Sequence, residues 1–366
     1  MSMYLCALTL IAFAADPNPK TVRGEAALER HDVFVSGQEG YHTYRIPALV
    51  VSRRGTVLAF CEGRKSSAAD DGDIDLLLRR SFDGGTTWQP TQVVYEEGGD
   101  DPITIGNPCP VVDRGGTIHL VFCRNNARAL CTKSVDDGAT FAAPVEITKQ
   151  IQGFDFAWTR LGSGPGHGLQ VAAGRIIVPV WLNDRIGHTY RSAIISSDDA
   201  GASWNAGGLV PATVRDCSEC MVVELSDGAL LMNMRTKAGQ YRAIARSTDG
   251  GATWTEAKPV EQLVDPICQA SLLRFPSDDD HAGLLLFSNA ASGTRDHMTV
   301  RLSRDEGRSW PVARLIHAGP AAYSDLAVAH DKTILCLHEN GSKRPYEKLT
   351  LARFPLSWLT AGTDTP

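Results

Sequence analysis

The sequence predicts an all-β fold, a six-bladed β-propeller with four antiparallel strands in each blade. Three observations indicate it: a turn motif occurs five times, its copies recur at similar intervals, and no segment shows the apolar period of a long helix. A four-stranded repeat of about 50 residues is the size of a propeller blade. Dividing about 350 residues by a repeat of about 55 predicts roughly six blades. We assign this single domain to residues 30–360.

The repeated motif reads S-x-D-x-G-x-[ST]-[WF] and is typical of a tight turn. Its aspartate can accept backbone N–H hydrogen bonds, its glycine can adopt positive φ, and its aromatic ring can pack under the turn. The copies are SFDGGTTW from Ser81, SVDDGATF from Ser134, SDDAGASW from Ser197, STDGGATW from Ser247 and SRDEGRSW from Ser303, at intervals of 53, 63, 50 and 56 residues. We interpret these turns as structural elements that do not bind substrate.

Short apolar runs flank the turns and predict the strands. DIDLLLRRS precedes the first turn, YRSAIISS the third and MTVRLS the last. Other runs, such as GTIHLVFC, GRIIVPVW and GALLMNM, begin at a glycine. Their lengths and residue types are those of strands.

Composition describes a soluble globular protein, with 43% hydrophobic and 21% charged residues. The formal net charge of −6 argues against a general polyanion binder, so nucleic acid is not an expected partner. A site for an anionic ligand must therefore be a local cluster of arginines.

Residues 1–15, MSMYLCALTLIAFAA, have the length and apolar character of a signal peptide. Ala12-Phe13-Ala14 fits the small-x-small cleavage rule, although the segment contains no Lys or Arg. The apolar run is too short to span a membrane. We therefore expect export to the periplasm or the extracellular space; a disordered terminus is the alternative.

The cysteines do not form a recognisable metal-binding pattern. Three of them lie within apolar runs and are predicted to be small buried side chains: Cys61, Cys123 and Cys336. Cys217 and Cys220 form a single C-x-x-C without a second pair at zinc-finger spacing. A zinc site is not expected, and the spacing names no disulfide.

The five turn motifs and the Tyr-Arg-Ile-Pro of residues 44–47 together resemble the sialidase (exo-α-neuraminidase) family with aspartate-box (BNR) repeats. The resemblance extends from about residue 30 to residue 359 and is to bacterial-type members without an inserted lectin domain. It implies a six-bladed propeller that removes terminal α-linked sialic acids from glycans with retention of configuration. It implies no metal, nucleotide, flavin or other cofactor.

Sialic acid carries a carboxylate on its anomeric carbon, and guanidinium groups hold a carboxylate in a fixed orientation better than lysine does. The resemblance implies three such arginines: Arg45 in YRIP, Arg235 in ECMVVELSDGALLMNMR and Arg295 in RDHMTVRLSRDEG. Arg301 is the alternative to Arg295, although its place in an alternating strand favours a blade-surface role. Glu339 in LCLHEN is implied as the carboxylate that braces Arg45.

The negative charge of the substrate also restricts which type of side chain can serve as the nucleophile. A catalytic carboxylate would repel the substrate carboxylate, whereas a neutral phenol would not; sialidases are among the glycosidases that use tyrosine. The family's nucleophile motif resembles AAYSDLAV and implies Tyr323. Because a free phenol ionises near pH 10, it needs a neighbouring base, and the resemblance nominates Glu219. The alternative for Tyr323 is an ordinary inner-strand aromatic residue.

The segment EGRKSSAADDGDIDLLLRRS resembles the loop that carries the family's acid/base aspartate. The resemblance implies Asp70, and adjacent Asp71 remains open; Asp73 and Asp75 are expected to face along the following strand. Arg64 is implied as an auxiliary sugar-binding residue, with a solvated loop arginine as the alternative.

WTRLGSGPGHGLQ, residues 158–170, resembles the stretch on the glycerol and aglycone side of the pocket. It implies Trp158, His167 and Gln170 as pocket-lining residues. Residues 106–112, GNPCPVV, are candidates for the N-acyl pocket. Tight-turn packing explains both segments equally well.

Two other classes of function remain open. One is a trans-sialidase, or a hydrolase of a related nonulosonic acid such as the deaminated sugar. The other is a non-catalytic propeller that binds glycans or proteins. The presence in this sequence of the candidate nucleophile, base, acid and arginines argues against the non-catalytic propeller.

Overall fold

The computed structural model describes residues 27–99, 101–184, 189–237, 239–276 and 283–361. In the first half of the chain the strands are β1 (Glu29–Val35), β2 (Thr43–Val51), β3 (Val57–Arg64), β4 (Ile74–Ser81), β5 (Gln92–Tyr95), β6 (Ile105–Val112), β7 (Ile118–Arg124), β8 (Arg128–Ser134), β9 (Val145–Glu146), β10 (Arg160–Ser163), β11 (Leu169–Gln170) and β12 (Ile176–Asn183).

In the second half they are β13 (Tyr190–Ser197), β14 (Asn205–Leu209), β15 (Cys220–Glu224), β16 (Leu230–Met234), β17 (Tyr241–Ser247), β18 (Lys258–Val264), β19 (Ser271–Arg274), β20 (Leu285–Ala290), β21 (Asp296–Ser303), β22 (Val312–Val328), β23 (Ile334–Asn340) and β24 (Lys348–Phe354). The described helices are a 3₁₀ turn, Thr148–Ile151, and the short α1, Leu356–Thr360. The predicted all-β fold is confirmed.

The strands pair antiparallel in small sheets, mostly in chain order. Strands β2 to β5, β6 to β9 and β15 to β18 each form a four-stranded sheet, and β10, β12, β13 and β14 form another to which β11 adds. The remaining strands form a continuous sheet in the order β1-β24-β23-β22-β21-β20-β19. Within it, the 17-residue β22 pairs with β21 along its first half and with β23 along its second.

Strands from every sheet contact one another in a closed series, in which β10 and β12 pair within their own sheet. Contacts join β2 to β6, β6 to β10, β12 to β15, β15 to β19, β19 to β22 and β22 back to β2. Residues at or just before the starts of several of these strands line one cavity, and residues at their ends line another. The central strands therefore share one direction, and each end of the bundle presents its own cavity.

The five repeated turns share one hydrogen-bond pattern. In the first, Ser81 Oγ donates to Asp83 and accepts from the backbone N–H of Gly85, whose φ is +91°. Asp83 in turn accepts from the backbone N–H and the hydroxyl of Thr87. The equivalent serine–aspartate bonds occur in the other four copies. The predicted turn chemistry is confirmed, and it lies within each motif rather than at either cavity.

The core lies between neighbouring sheets and includes the aromatic anchors of the turns. Trp204, Trp254 and Trp310 are buried in three different clusters. The eight cysteines of the described ranges are all buried and unpaired, which confirms the prediction for Cys61, Cys123 and Cys336.

Neither helix in the described ranges is long and apolar enough to span a membrane. The predicted signal peptide, residues 1–15, lies outside the described residues.

Candidate active site

Arg45 lies at an irregularity in β2. The register with β3 shifts between Arg45 and Ala48, and Ile46 adopts a φ of +60°. Positive φ is unfavourable for a β-branched residue, and such strain is concentrated at functional sites. The guanidinium of Arg45 consequently faces the interior, with only 6% of the side chain exposed.

Glu339 on β23 holds this irregular segment. Its fully buried carboxylate accepts from Arg45 Nε at 3.0 Å and Nη2 at 3.3 Å, and from the backbone N–H of Ile46 at 3.0 Å. The same carboxylate accepts from the backbone N–H of Tyr323 at 3.0 Å. The predicted pairing of Arg45 with Glu339 is therefore present, and Glu339 also connects Arg45 to the strand of the candidate nucleophile.

Tyr323, Glu219 and Arg235 form a contiguous hydrogen-bonded group. The Tyr323 hydroxyl lies 2.5 Å from Glu219 Oε1, and Arg235 Nη1 donates to Glu219 Oε2 at 2.5 Å and to the Tyr323 hydroxyl at 3.0 Å. Burial, followed by the negative charge of Glu219, raises the pKa of the Tyr323 phenol well above its usual value, although Arg235 and Arg45 oppose this. In the free protein, Tyr323 is therefore a neutral phenol with an acceptor beside it.

Two further guanidinium groups lie against the Tyr323 ring. The guanidinium carbon of Arg45 is 5.1 Å from the ring centroid, and that of Arg295 is 5.6 Å from it. The structure thus brings Arg45, Arg235 and Arg295 together around one tyrosine. Arg301 instead faces Phe287 across the β20–β21 pair. Of the two arginines that the sequence left open, only Arg295 contacts this cluster.

Arg295 differs from the other two arginines in its partners. It donates to the Tyr346 hydroxyl at 2.6 Å and to the backbone carbonyl of Ile267 at 3.1 Å. Arg45 and Arg235 each pair with a glutamate. Within the described ranges, no carboxylate lies within ion-pair distance of Arg295. Arg295 therefore retains an uncompensated charge beside the candidate nucleophile.

Asp70 bridges two arginines from the loop after β3. Its Oδ1 accepts from Arg45 Nη1 at 3.0 Å and from Arg64 Nη1 at 2.9 Å, although 78% of the side chain is exposed. Partial loss of hydration would raise the pKa of Asp70, but the charges of Arg45 and Arg64 outweigh it and lower that pKa. Asp71 also lines the cavity. In the free protein, Asp70 is therefore held as a carboxylate.

Arg64 is buried, so the alternative of a solvated loop arginine is wrong. Its residue exposure is 2%. It donates to Glu62 at 2.7 Å, and to the backbone carbonyls of Ala68 and Ala69 at 2.7 and 2.8 Å. These bonds fix the loop that carries Asp70. The other two acidic residues lie as expected near the following strand, where Asp73 pairs with Lys65 and Asp75 accepts from Tyr41.

A cavity of about 800 Å³ extends from Tyr323 across the ends of neighbouring sheets. Its lining is mainly polar and includes Arg64, Asp70, Asp71, Asn107, Asn126, Thr159, Arg160, Trp181, Tyr190, Glu219, Arg235 and Lys237. Asn107 belongs to the predicted N-acyl segment. Arg45 lies outside the lining because Asp70, Glu339 and Tyr346 cover its guanidinium.

The structure places Trp158, His167 and Gln170 outside the lining of this cavity. Trp158 packs against an apolar cluster between sheets. His167 and Gln170 line the second cavity, of about 400 Å³, and His167 Nδ1 lies 2.8 Å from Asp325. For His167 and Gln170 the physical reason is strand direction: β10 begins at the first cavity and runs away from it, so residues after Ser163 lie towards the other end.

Several lining residues were not predicted from the sequence. Trp181 and Tyr190 lie on the facing strands β12 and β13, with ring centroids 5.9 Å apart, and Lys237 Nζ lies 4.1 Å from the Tyr190 ring centroid. The signal in the sequence is the polar stretch NDRIGHT, residues 183–189, between the runs that contain Trp181 and Tyr190. Tyr346 lies in the loop before β24 and had no recognisable motif.

The chain is similar to known proteins over most of its length. The sequence profile of the family described as "BNR repeat-like domain" matches residues 55–336. The "Sialidase" of Micromonospora viridifaciens is 35% identical, over 95% of this chain and 56% of that protein. The "Exo-alpha-sialidase" of Aspergillus fumigatus is 32% identical, over 89% of this chain and 87% of that protein.

A solved structure, "Hadza microbial sialidase Hz136", superposes with a TM-score of 0.82 at 28% identity, over 90% of this chain and 69% of that chain. The chain therefore belongs to the sialidase family with BNR repeats. It spans little more than half of the Micromonospora relative, but most of the Aspergillus one.

Proposed function

We propose that the protein is an exo-α-sialidase that hydrolyses terminal α-linked sialic acids of glycoconjugates with retention, through a tyrosine nucleophile. One observation carries the proposal: the phenol of Tyr323 is bonded to Glu219 and Arg235, while Arg45 and Arg295 lie against its ring. An anionic sugar held by these arginines has its anomeric carbon beside a phenol and a base.

Carboxylate binding follows from the charges. Arg45 and Arg235 are each neutralised by a glutamate, whereas Arg295 is not. A substrate carboxylate supplies the missing negative charge, and each charge-assisted hydrogen bond contributes about 1.5–3 kcal/mol. The three guanidinium groups therefore orient the sugar through its acid group.

The proposed first step forms a bond from Tyr323 Oη to the anomeric carbon and breaks the glycosidic bond. Because the phenol is neutral in the free protein, Glu219 accepts its proton as the new bond forms. Asp70 delivers a proton to the leaving oxygen. In the second step Asp70 accepts a proton from water, water attacks the same carbon, and Tyr323 leaves and regains its proton from Glu219. Two displacements on one carbon retain its configuration.

Asp70 needs a proton before it can act as an acid. In the free protein, Arg45 and Arg64 hold it as a carboxylate. A substrate carboxylate that takes its place on Arg45 removes one of the two stabilising contacts and buries the loop under the sugar. Both changes raise the pKa of Asp70 towards that of a general acid.

The blade number is also part of the proposal. The half of β22 that pairs with β21 completes one four-stranded unit with β19 and β20, and the other half completes a second with β23, β24 and β1. With the four smaller sheets, these two units make six blades, and the last blade combines β1 with β24, the first and last strands of the described residues.

Export is proposed from residues 1–15, and amino-terminal sequencing of secreted protein tests it.

Transfer of the sugar to a second glycan is the second candidate. Trp181 and Tyr190 add aromatic surface to the cavity wall, and such surface can stack on an acceptor sugar. A hydrolase of a deaminated nonulosonic acid uses the same arginines and differs only at the N-acyl pocket.

Turnover of a panel of defined sialosides by purified protein tests the proposal. We expect release of free sialic acid, with the α-anomer appearing first by NMR. Addition of lactose as acceptor distinguishes transfer by forming sialyllactose. Folded protein that binds sialosides but turns none over would leave only a glycan-binding propeller.

A further inference from the structure

Tyr346 contacts two arginines of the proposed carboxylate site through different parts of its side chain. Its ring centroid lies 4.0 Å from the guanidinium carbon of Arg45, and its hydroxyl accepts from Arg295 Nη1 at 2.6 Å. No sequence motif points to Tyr346, and it has no role in the mechanism above.

The backbone around Tyr346 is well anchored. The neighbouring Glu347 accepts backbone N–H bonds from Ser342, Lys343 and Arg344 at 2.9, 3.0 and 3.0 Å. The carbonyl of Tyr346 itself accepts from Ser36 Oγ at 2.9 Å. The loop therefore presents the Tyr346 ring from a fixed position.

Tyr346 also addresses an electrostatic problem of the site. Arg45 and Arg295 both contact the Tyr323 ring, and two positive charges gathered around one residue repel each other. The face of an aromatic ring attracts a cation, and a phenol oxygen accepts a hydrogen bond from one. A single tyrosine can therefore hold two guanidinium groups at a set separation.

Arg295 depends on Tyr346 more than Arg45 does. Glu339 holds Arg45 with two hydrogen bonds. The other hydrogen bond of Arg295 within the described ranges goes to the carbonyl of Ile267 at 3.1 Å. Loss of the Tyr346 hydroxyl leaves Arg295 with that single hydrogen bond, and a mobile guanidinium binds a carboxylate less well because it must be ordered on binding.

We propose that Tyr346 is a positioning residue that sets the spacing and orientation of Arg45 and Arg295 for recognition of the substrate carboxylate. The inference rests on the proposed function. It makes Tyr346 a determinant of selectivity for sugars that carry the acid group, without direct participation in bond breaking.

Inhibition constants for two matched ligands test the role. The ligands are 2,3-didehydro-2-deoxy sialic acid and its methyl ester, which has the same sugar without the negative charge. For Tyr346→Phe we expect weaker binding of the acid by roughly tenfold, with binding of the ester unchanged. Tyr346→Leu, which also lacks the ring face, is expected to lose more. For substrate, KM rises while kcat changes little.

The control is Tyr44→Phe. Its hydroxyl donates to the carbonyl of Gln38 at 2.9 Å, away from the arginines, so it loses a comparable bond without affecting them. We expect it to retain the wild-type ratio of acid to ester binding.

A Tyr346→Phe protein with the wild-type ratio would overturn the inference, as would equal weakening of both ligands together with a lower melting temperature. Wild-type turnover separates the inference from the proposed function. If the wild-type protein neither turns over sialosides nor prefers the acid to the ester, both fail. If it does both and Tyr346→Phe keeps the preference, only the role of Tyr346 fails.

Discussion

The hydroxyl of Tyr323 lies 2.5 Å from Oε1 of Glu219, and Arg235 donates to both side chains. The phenol is buried and its pKa is raised by burial first and by Glu219 second. A phenolate formed in advance is therefore unfavourable. The arrangement instead favours transfer of the proton to Glu219 as the phenol oxygen forms its new bond.

Tyr323→Phe tests the nucleophile. It removes the attacking oxygen and keeps the ring, so we expect kcat to fall by on the order of 10³-fold or more while an anionic sialic acid analogue still binds. Intact mass measurement with a 2,3-difluorinated sialic acid should show an adduct on the wild-type protein and none on the variant. Normal turnover by Tyr323→Phe would contradict the mechanism.

Replacement of the two competing arginines tests carboxylate binding. Loss of the charge-assisted bond in Arg295→Met is expected to raise KM by about 10- to 100-fold. Arg301→Met is the matched control, because Arg301 lies on β21, which begins directly after Arg295, and faces Phe287. Steady-state kinetics on sialyllactose decide between them, and a larger effect at Arg301 would reverse the assignment.

Asp70→Asn tests the acid/base role. The variant cannot protonate the leaving oxygen, so we expect activity on sialyllactose to fall by about 10²- to 10⁴-fold. Formation of the covalent intermediate from an aryl sialoside, whose leaving group needs less protonation, should fall much less. Asp71→Asn, on the same loop and lining the same cavity, is the control. If Asp71→Asn shows the leaving-group dependence and Asp70→Asn does not, Asp71 is the acid/base residue and the assignment of Asp70 is wrong.

Glu339→Gln is expected to destabilise the fold as well as the site. It removes one charge of a buried ion pair and leaves Arg45 with less compensation. Breaking such a pair costs about 3–5 kcal/mol, which urea unfolding can measure. Asp198→Asn removes the partner of Arg175 on the surface, and we expect a change below about 1 kcal/mol. Equal effects of the two substitutions would show that Glu339 is not the brace.

The buried side chain of His338 is expected to lower the free energy of unfolding in acid. Both ring nitrogens are buried without a partner among the described residues, and burial, followed by the charge of His317, lowers the pKa of His338 to about 3. Because the unfolded chain takes up this proton near pH 6.5, unfolding becomes more favourable as the pH falls from about 6.5 towards 3, by up to about 1.4 kcal/mol per pH unit.

Urea unfolding of His338→Leu across this pH range measures the contribution. We expect the free energy of unfolding of the variant to fall less steeply with acid than that of the wild type. His330→Leu, at an exposed histidine, should keep the wild-type slope. Parallel slopes for His338→Leu and the wild type would exclude His338 as a source of acid sensitivity.

The strand direction explains why part of the pocket could not be predicted. His167 and Gln170 follow β10, which carries the chain away from the first cavity, whereas Trp158 precedes β10 and packs against an apolar cluster. Their neighbours Thr159 and Arg160 line that cavity instead. A resemblance over one stretch cannot show at which residue a strand leaves a cavity.

The repeat and the all-β class could be predicted from sequence alone because each turn closes through bonds within four residues, such as Ser81 to Asp83 and Gly85. A contiguous motif contains every atom that such a turn requires. The family's motifs likewise identify candidates for catalysis one residue at a time. They do not contain the distances between those residues.

Only the tertiary structure decided how the arginines, the phenol and the carboxylates meet. Arg45 and Glu339 are separated by 294 residues, and Tyr323 and Glu219 by 104. Their contacts exist because β2 and β22, and the residues just before β15, come together from distant parts of the chain, while Glu339 and Tyr346 are added from β23 and from the loop before β24. Side-chain contacts of this kind depend on how strands far apart in the sequence pack together, and no local sequence pattern contains that information.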